Sequence, residues 1–350
     1  MLTLGIETSC DETAAAVIEN KNVILSNVVV SSVHLHKKFG GIIPELASRY
    51  HVEHINKVVT QALVISRKRL NDIGLISVTY GPGLIGALLV GVCFAKSISL
   101  AKDIPLIGVN HLQAHLYAAV MSLEKDWFPC IGLVVSGGHT ALCLIEDVDK
   151  FTLLGQTKDD AVGEAFDKVA KILNIGYPGG AVIEKKARRG NHNDIRFSAF
   201  SNRQSLDFSF SGIKTAVLYY VNDLKKKNEA RFQHMAIKAM HPGIDSDIIN
   251  NICVGFQSAV VKVLVDRVIA ACKKKRLRRL VLGGGVSINN YLRGELVKRA
   301  KEEKILVRFC DRSLCLDNAA MIAGLGYRLF KKGKTSTLAL TPISSLSIET

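Results

Sequence analysis

The chain has 350 residues, of which 48% are hydrophobic and 22% are charged, and its formal net charge is +15. This length suggests about two domains, the composition excludes a disordered chain, and no continuous apolar run reaches the roughly 18–20 residues of a membrane span. The excess of Lys and Arg favours a polyanionic partner, with nucleic acid as the first candidate.

The N-terminal segment and the cysteines indicate the compartment. Residues 2–6 read as a strand with Glu7 and Asp11 close behind it, not as the basic region and apolar stretch of a secretory signal. The eight cysteines include no C-x-x-C pair, and most lie in apolar runs, where a free thiol behaves as a small hydrophobe. We therefore expect a cytoplasmic protein without a zinc ribbon.

One strand–turn–strand pattern occurs twice in the chain. A strand at 2–6 runs into small polar residues at 7–13, and a strand at 131–135 runs into a similar turn at 136–140. An apolar run resumes after each turn, so both segments predict a β-hairpin whose turn exposes backbone N–H groups. Two halves that begin alike predict a two-lobed α/β protein with duplicated subdomains and a ligand cleft between them.

The remaining elements follow from hydrophobic periodicity. In the first half, we predict helices over 44–57, 58–69 and 86–100 and strands over 75–79 and 106–109. In the second half, we predict helices over 159–173, 248–272, 289–304 and 318–330 and a strand over 279–282. The helix over 86–100 is apolar nearly all round and is expected to be buried. Residues 331–350 are expected to form a polar, frayed tail.

His111 and His115 lie four residues apart in a helix predicted directly after a strand. That spacing places the two imidazoles on one helix face about 5–6 Å apart, near enough to hold one metal ion, although an isolated pair is more often structural. Leu112 stands where a zinc-protease helix carries its general base. Asp317 either caps the last helix or completes a two-histidine, one-carboxylate site for iron, zinc or manganese.

Three loops carry groups that suit a nucleotide. The turn 136–140 offers consecutive backbone donors for a phosphate or carboxylate, although a simple hairpin turn is the commoner outcome. Three glycines at 283–285, between a strand and a helix, predict a nucleotide turn in which Asn289 hydrogen-bonds a base or a ribose. Asp167 can accept hydrogen bonds from sugar hydroxyls, and Gly180 lets the backbone approach the ligand.

In this order the motifs resemble the tRNA N6-adenosine threonylcarbamoyltransferase family, a branch of the actin/sugar-kinase/Hsp70-like ATPase superfamily. The matching segments cover about residues 1–330 and are G-I-E-T-S-C-D-E-T at 5–13, G-G-I-I-P-E-L-A-S-R at 40–49, G-P-G-L-I-G-A-L-L-V-G at 81–91, H-L-Q-A-H at 111–115, V-S-G-G-H-T at 135–140, G-E-A-F-D-K at 163–168, Y-P-G-G at 177–180, D-F-S-F-S-G-I-K-T at 207–215, G-G-G-V-S-I-N at 283–289 and D-N-A-A-M-I-A at 317–323. The forms P-E-L-A-S-R and S-F-S-G-I-K-T are similar to the bacterial and organellar branch. The chain departs from the family pattern at Ile288, at Leu316 and in an expanded basic segment at 219–248, which leaves the tRNA-facing surface open.

The resemblance implies a two-lobed, actin-like α/β fold of the ribonuclease H-like type. Residues 1–125 would form the N-terminal lobe, completed by a C-terminal helix at about 318–335. Residues 126–317 would form the C-terminal lobe, and residues 336–350 a polar tail.

The resemblance also implies an activity. A threonylcarbamoyl group would pass from threonylcarbamoyl-AMP to N6 of adenine 37 in tRNAs reading codons that begin with A. The family's metal ligands carry over onto His111, His115 and Asp317. They would hold one divalent ion, with Fe²⁺ as the first candidate and Zn²⁺ as the alternative. The adenylate contacts carry over onto Val134, Val135, Ser136, Gly137, Gly138, Asp167, Gly180, Glu184 and Asn289. A small paralogous partner protein and an accessory P-loop ATPase are implied as partners.

Asp11 or Glu12, on the first hairpin turn, can remove the amine proton in such a transfer. Two other enzymes stay open as alternatives: a metalloprotease, against which Leu112 argues, and a sugar kinase or ATPase, which gives the paired histidines no role. A non-enzymatic scaffold is the third alternative, and the intact metal-ligand set argues against it.

Overall fold

The computed structural model describes residues 1–123, 125, 127–192, 194–198, 205–234 and 244–349. The expanded basic segment predicted at 219–248 lies partly outside these ranges, at 235–243. Within the described ranges the strands form two five-stranded sheets.

The first sheet has the strand order β3-β2-β1-β4-β5, in which β1, β2 and β3 are antiparallel neighbours and β4 and β5 continue in parallel from β1. Its strands are β1 (Leu2–Glu7), β2 (Glu12–Glu19), β3 (Val23–Ser31), β4 (Leu75–Gly81) and β5 (Leu106–Asn110). The helices of this half are α1 (Val33–His36), α2 (Pro44–Ser66), α3 (Ile85–Lys102) and α4 (His111–Ala118).

The second sheet repeats this topology, because β6, β7 and β8 are antiparallel and β9 and β10 continue in parallel from β6. Its strands are β6 (Cys130–Val135), β7 (Thr140–Asp147), β8 (Lys150–Gln156), β9 (Arg279–Gly283) and β10 (Leu306–Phe309). The helices are α5 (Val162–Ile172), α6 (Gly179–Ala187), α7 (Ser211–His234), α8 (Ser246–Lys275), α9 (Asn290–Glu302) and α10 (Ala319–Lys331). The two predicted hairpins and the predicted duplication are confirmed.

Helices α4 and α10 lie between the two sheets. One apolar cluster joins residues of both helices to Ile107 of β5, Val134 of β6 and Val281 of β9. Every residue of α4 is buried. Although α10 comes last in the chain, it packs against β1, β2 and β4 of the first sheet. A side chain on α4 or just before α10 is therefore held at the junction of the two halves.

By length and composition, α3 and α8 are the two helices in the described part of the chain that are apolar enough to span a membrane. The most apolar stretch of α8 is 72% buried inside the protein, whereas that of α3 is 28% buried. The prediction that this apolar helix is buried is wrong for one of its faces, since Ile85, Leu89 and Leu100 are at least half exposed. The buried face of α3, which contains Ala87 and Gly91, packs against β4 and against α2.

Two helix boundaries also differ from the prediction. The segments 44–57 and 58–69 form one helix, α2, which ends at a left-handed cap residue, Arg67. The helix expected from 159 begins at Val162. Asp159 and Asp160 lie in the loop before it, where their side chains bind other groups. Asp159 accepts from the hydroxyls of Ser209 and Ser211, and Asp160 pairs with Lys168 and Lys214.

The tail after α10 is docked on the first lobe, so the prediction of a frayed tail is wrong. Ser336 forms a bridge with β5, and the N–H of Ile343 donates to the backbone of β4 at 2.8 Å. The carbonyls of Ser347 and Ile348 accept hydrogen bonds from the side chains of Asn110 and Gln113 at 2.7 and 2.9 Å. Because β5 is an edge strand, its unpaired backbone groups offer the tail a place to bind.

Candidate metal centre and ligand cleft

Strand β5 passes directly into α4, and Asn110 caps the helix. Its side-chain oxygen accepts hydrogen bonds from the N–H groups of Leu112 and Gln113 at 2.9 and 3.3 Å, which satisfies the first free donors of the helix. His111 and His115 then lie one turn apart, with ring centroids 4.5 Å from each other. The predicted pairing of the imidazoles on one face is confirmed.

The two histidines meet Asp317, as predicted. One ligand atom from each of His111, His115 and Asp317 lies within 4.8 Å of the others. Asp317 Oδ1 is 3.0 Å from His115 Nε2 and 3.5 Å from His111 Nε2. Two imidazoles and one carboxylate at this spacing fit a divalent metal ion and leave coordination positions for a substrate.

Asn318, not Asp317, caps α10. The Asn318 side chain accepts a hydrogen bond from the N–H of Met321 at 3.0 Å, and its amide donates to the carbonyls of Leu314 and Leu316. The alternative in which Asp317 serves as the helix cap is therefore wrong. The Asp317 carboxylate instead faces the two histidines.

Glu7, at the end of β1, contacts the other ring nitrogen of His111. Glu7 Oε2 lies 2.9 Å from His111 Nδ1, and the same carboxylate accepts hydrogen bonds from the Thr79 hydroxyl and the Ser9 N–H, both at 2.5 Å. A carboxylate in this place holds the proton on Nδ1 and leaves Nε2 to bind a metal. Sequence reasoning missed this role. The available signal was a carboxylate at the carboxyl end of a buried strand.

The charges of the group compensate one another. Burial favours neutral His111, but Glu7 and Asp317 outweigh burial and raise the pKa of His111 to about 9. Burial and the charge of His111 lower the pKa of His115. Burial opposes ionisation of Asp317, yet the two histidines hold its pKa well below its usual value. The two carboxylates thus favour positive charge at this place, and a metal cation held by His111, His115 and Asp317 would supply it.

His139 is a second residue to which the sequence reasoning gave no role. It lies on the turn of the second hairpin, and burial, followed by the charges of His111 and His115, lowers its pKa to about 4. His139 is therefore a neutral imidazole beside the metal-ligand group at neutral pH. The signal for it was the histidine of the motif V-S-G-G-H-T.

The turn of the second hairpin is open on the side of its glycines. A Cβ atom added at Gly137 or Gly138 would meet no heavy atom within 4 Å, and the same holds at Gly180 in the first turn of α6. The carbonyl of Ser136 accepts a hydrogen bond from the N–H of Gly163 at 3.1 Å, which fixes the turn against α5. An anionic ligand can therefore approach this backbone without moving a side chain.

Val134 and Val135 support that turn from inside the sheet. Both side chains are fully buried, and Val134 pairs with strands on both sides of β6. The glycine turn after β9 crosses them closely: Gly284 has a φ of +89°, and a Cβ there would lie 2.3 Å from the carbonyl oxygen of Val135. A Cβ at Gly283 would lie 2.2 Å from the carbonyl oxygen of His115. Glycine is required where this turn meets α4 and β6.

Asp167 and Glu184 each tie two elements together. Asp167 Oδ1 accepts a hydrogen bond from the N–H of Gly179 at 2.7 Å, which joins α5 to the start of α6. Glu184 Oε1 accepts from the backbone and side chain of Asn290 at 3.1 and 2.7 Å, which joins α6 to α9.

Asn289 is the N-cap of α9. Its side-chain oxygen accepts from the N–H of Leu292 at 2.9 Å, and its amide donates to Gln257 at 3.0 Å. Both ends of the buried side chain are thus engaged within the protein, so a hydrogen bond to a base or a ribose has to compete with these contacts.

Asp11 on the turn of the first hairpin and Glu12 at the start of β2 face the second lobe. Burial raises the pKa of Asp167, and the charge of Asp11 adds to that effect across the cleft. Burial, followed by the charges of Asp317 and Asp11, raises the pKa of Glu12 to about 10, so Glu12 is protonated at neutral pH. The turns of the two hairpins therefore border one cleft that contains the metal-ligand group.

Cys310 and Cys315 form a disulfide two residues before Asp317, and the other six cysteines are free. The expectation of free thiols is wrong for this pair. A short 3₁₀ helix at 312–314 turns the chain back and brings the two Cα atoms to 5.8 Å. Spacing by four intervening residues gave no signal of this turn.

Two sheets of the same topology with a cleft between them define the two-lobed, actin-like class of proteins. A crystal structure of HypF from T. kodakarensis has this fold, with a TM-score of 0.60 and 14% identity over 95% of this chain and 48% of that chain. This chain spans about half the length of HypF. Component A of the Acidaminococcus fermentans (R)-2-hydroxyglutaryl-CoA dehydratase is similar at a TM-score of 0.50 and 14% identity, over 95% of this chain and all of that chain.

The family is shown by sequence. A family profile described as "TsaD: tRNA N6-adenosine threonylcarbamoyltransferase" matches residues 23–324. Proteins of that name from Clostridioides difficile and Dictyoglomus turgidum are 44% and 46% identical to this chain, over 99% and 97% of its length and 98% and 97% of theirs. The chain belongs to the tRNA N6-adenosine threonylcarbamoyltransferase family and is a tRNA-modifying transferase. Neither the metalloprotease nor the kinase alternative is supported by these relatives.

Proposed function

We propose that the enzyme transfers the threonylcarbamoyl group of threonylcarbamoyl-AMP to N6 of adenine 37 in tRNAs that read codons beginning with A, forming N6-threonylcarbamoyladenosine. The observation that carries the proposal is that the His–His–Asp group and the open glycine turn of the second hairpin border the same cleft. The first suits a cation and the second offers backbone donors to an anion. A phosphate-activated acyl donor needs both.

We assign the adenylate to the second lobe. Free approach to the backbone at Gly137, Gly138 and Gly180 supports this assignment, since a phosphate needs N–H groups without side chains in the way. Val134, Val135 and Ser136 hold the turn in place. Asp167, Glu184 and Asn289 border the same region and complete the assigned contacts.

We assign one divalent ion to His111, His115 and Asp317. Two imidazoles and one carboxylate favour Fe²⁺, with Zn²⁺ as the alternative, and the bound ion supplies Lewis acidity towards the oxygens of the donor. Glu7 keeps Nε2 of His111 available by holding its Nδ1. Leu112 is a buried apolar side chain, so α4 carries no carboxylate base beside its first histidine.

We assign to Asp11 the role of the base that removes the proton from the attacking amine. Of the two carboxylates predicted for this role, Glu12 has a pKa raised to about 10 by burial and by its acidic neighbours, so it holds a proton at neutral pH. A bound cation would cancel the part of this pKa rise that the charge of Asp317 causes, but burial and the charge of Asp11 would still oppose ionisation of Glu12. A protonated carboxyl group cannot accept the amine proton.

The proposal also covers the setting of the reaction. We divide the chain into a first lobe at 1–125 completed by the helix at about 318–335, a second lobe at 126–317, and the tail at 336–350. A paralogous subunit and an accessory P-loop ATPase act with the enzyme in the cytoplasm, without a membrane. The exposed apolar side chains of α2 and α3 give such a subunit a surface to bind.

The test is transfer in vitro. The purified chain, loaded with Fe²⁺ or Zn²⁺, is incubated with threonylcarbamoyl-AMP and an unmodified tRNA that has adenine at position 37, and the nucleosides are separated and weighed by mass spectrometry. We expect N6-threonylcarbamoyladenosine, and none from a tRNA with guanine at that position. No modified nucleoside, even with the partner proteins added, would refute the proposal.

A matched pair of variants tests the metal assignment. Asp317→Asn keeps the shape of the ligand but removes its charge, so we expect loss of bound metal and of transfer. Asp311→Asn alters a carboxylate six positions earlier that caps only the short 3₁₀ helix, so metal content and transfer stay near the parent values. Equal loss in both variants would point to a disturbed loop in place of a lost ligand.

A further inference from the structure

The end of the second lobe where α8 and α9 finish and β9 and β10 begin is densely basic. Segments 273–279 and 299–308 contain ten basic and two acidic residues. The strands are parallel, with Arg279 paired with Leu306, and α9 packs against both α8 and β10, so the two segments lie at the same end of the lobe. We name this surface the basic end. Its cations are Lys273, Lys274, Lys275, Arg276, Arg278, Arg279, Arg299, Lys301, Lys304 and Arg308.

The two acidic side chains of the basic end are already neutralised. Glu303 accepts from Lys273 at 2.7 Å, and Glu302 accepts from Arg299 at 3.0 Å. Eight cations therefore remain in excess, and most are exposed. Charge of one sign at this density attracts a polyanion and repels other basic proteins.

Structural roles explain only part of this charge. Cations in the last turn of a helix stabilise its free carbonyls, which covers the lysines that end α8 and the basic residues that end α9. A cation on an edge strand discourages pairing with another chain, which covers Arg308 on β10. Neither reason applies to Arg278 and Arg279, which lead into the interior strand β9.

The edge strand β10 connects the basic end to the metal-ligand group. Lys304 just before this strand, Arg308 on it and Arg312 just after it are all exposed. Arg312 is followed, after the turn, by Asp317. A track of positive charge therefore runs from the basic end towards the metal-ligand group.

An aromatic ring holds two of these arginines in place. The guanidinium carbons of Arg279 and Arg308 lie 5.3 and 5.1 Å from the ring centroid of Trp127. Arg279 also donates a hydrogen bond to the carbonyl of Phe128 at 3.3 Å. Stacked guanidinium groups lose less freedom when they bind a phosphate than free ones do.

We propose that the basic end and the β10 track bind the sugar–phosphate backbone of the duplex stem in the substrate tRNA. The identity of the RNA rests on the proposed function. A stem is read through its phosphates and 2′-hydroxyls and not through its bases, so a surface of exposed cations suits it. With the stem along β10, the loop at its end reaches the cleft at the metal-ligand group.

The first test compares two double variants with the same local geometry. Arg276 and Arg67 are both left-handed cap residues after a long helix, and a second arginine follows two positions later in each case, at 278 and 69. Binding of an unmodified adenine-37 tRNA is measured without donor, by filter retention, from low to moderate salt. We compare Arg276→Gln/Arg278→Gln with the control Arg67→Gln/Arg69→Gln on the first lobe.

We expect the basic-end variant to bind the tRNA about tenfold more weakly at low salt. The slope of log affinity against log salt should fall by about 1.4–1.8, the release expected for two phosphate contacts. The control should stay within twofold of the parent. Circular dichroism and thermal unfolding check that both variants are folded, and Arg308→Gln replaces the basic-end double variant if that variant is not. Equal salt slopes in all three proteins would overturn the proposal.

The second test reads the surface directly, because Trp127 is the single tryptophan of the chain. Phosphates that draw Arg279 or Arg308 towards the RNA change the surroundings of the indole. We expect its emission to change and saturate with added tRNA, to recover at high salt, and to change less in Arg276→Gln/Arg278→Gln. Binding of tRNA without any change in this emission would contradict the proposal.

The two proposals fail in different ways. If the parent protein modifies adenine 37 but the basic-end variant binds like the control, the surface assignment fails alone. If the basic-end variant loses tRNA binding while the parent makes no modified adenosine from the donor, the surface assignment holds and the proposed function fails.

Discussion

The turns of the two hairpins occupy equivalent places in sheets of the same topology, yet their chemistry differs. The first turn and the strand before it carry Glu7, Asp11 and Glu12, all enclosed by protein. The second carries Gly137 and Gly138, where an added Cβ would meet nothing within 4 Å. The duplicated framework sets where a ligand lies, and the residues of each turn decide which part of the ligand that turn handles. In the proposed reaction, the first turn handles the proton and the metal, and the second handles the phosphate.

The sharpest way to break this comparison is to remove the charge of the first turn. We expect Asp11→Asn to lower the single-turnover transfer rate at least about 100-fold, since a base in this role contributes about 10²–10⁴-fold. Glu12→Gln is the matched control and should stay within about threefold, because Glu12 is already neutral at neutral pH. Full transfer by Asp11→Asn would remove Asp11 from the mechanism.

Next in size is the effect of the carboxylate behind His111. Loss of such a partner weakens metal binding about 10–100-fold, so we expect Glu7→Gln to lose metal to a competing chelator at correspondingly lower chelator concentration. Glu19→Gln, at the exposed far end of the same hairpin, should titrate like the parent. Unchanged metal affinity in Glu7→Gln would mean that its contact with His111 only positions the strand.

A methyl group tests the second turn. Gly138→Ala meets no protein atom, so the free energy of unfolding should change by less than about 0.5 kcal/mol, while the KM for the donor rises about tenfold because the methyl group occupies the approach of the phosphate. Gly294→Ala also meets nothing and lies in α9, away from the cleft, so its KM should not change. If Gly138→Ala changed kcat but left the KM for the donor constant, the result would speak against phosphate binding at this turn.

A separate prediction concerns the dependence of stability on pH. The pKa of Glu12 rises from 4.5 to about 10 on folding, so its favourable contribution is complete below pH 4.5 and is lost progressively as the pH rises towards 10. Glu12→Gln lacks this loss. In metal-free protein we expect the variant to unfold at nearly the same denaturant concentration as the parent at pH 5, and at a higher one at pH 9. A constant difference between the two proteins over this range would show that Glu12 is not protonated in the folded state.

The metal-ligand group shows which site residues can be predicted from local sequence pattern and which cannot. His111 and His115 were predictable because four residues of helix fix their relative position. Asp317 was left between two roles, since a carboxylate before a helix suits both a cap and a ligand, and the choice depended on Asn318 taking the cap. Glu7 was not found because its partner lies 104 positions along the chain.

The fold shows the same limit. Both hairpins were predictable from alternating apolar runs and small turn residues. The exposure of α3 was not, because apolar composition says that a helix can be buried but not which of its faces a neighbour covers. The docked tail was missed for a related reason: its polar residues bind through backbone carbonyls, which the side-chain pattern does not report.

The path of the chain around α4 has a consequence for biosynthesis. The His115 side chain lies 202 positions before Asp317 in the chain, and Gln113 lies 235 positions before Ile348, whose carbonyl accepts its hydrogen bond. A growing polypeptide therefore holds the two histidines of the candidate site for about 200 residues of synthesis before their carboxylate partner is made. Under the proposed metal assignment, selection of the ion is deferred until Asp317, just before α10, has been added.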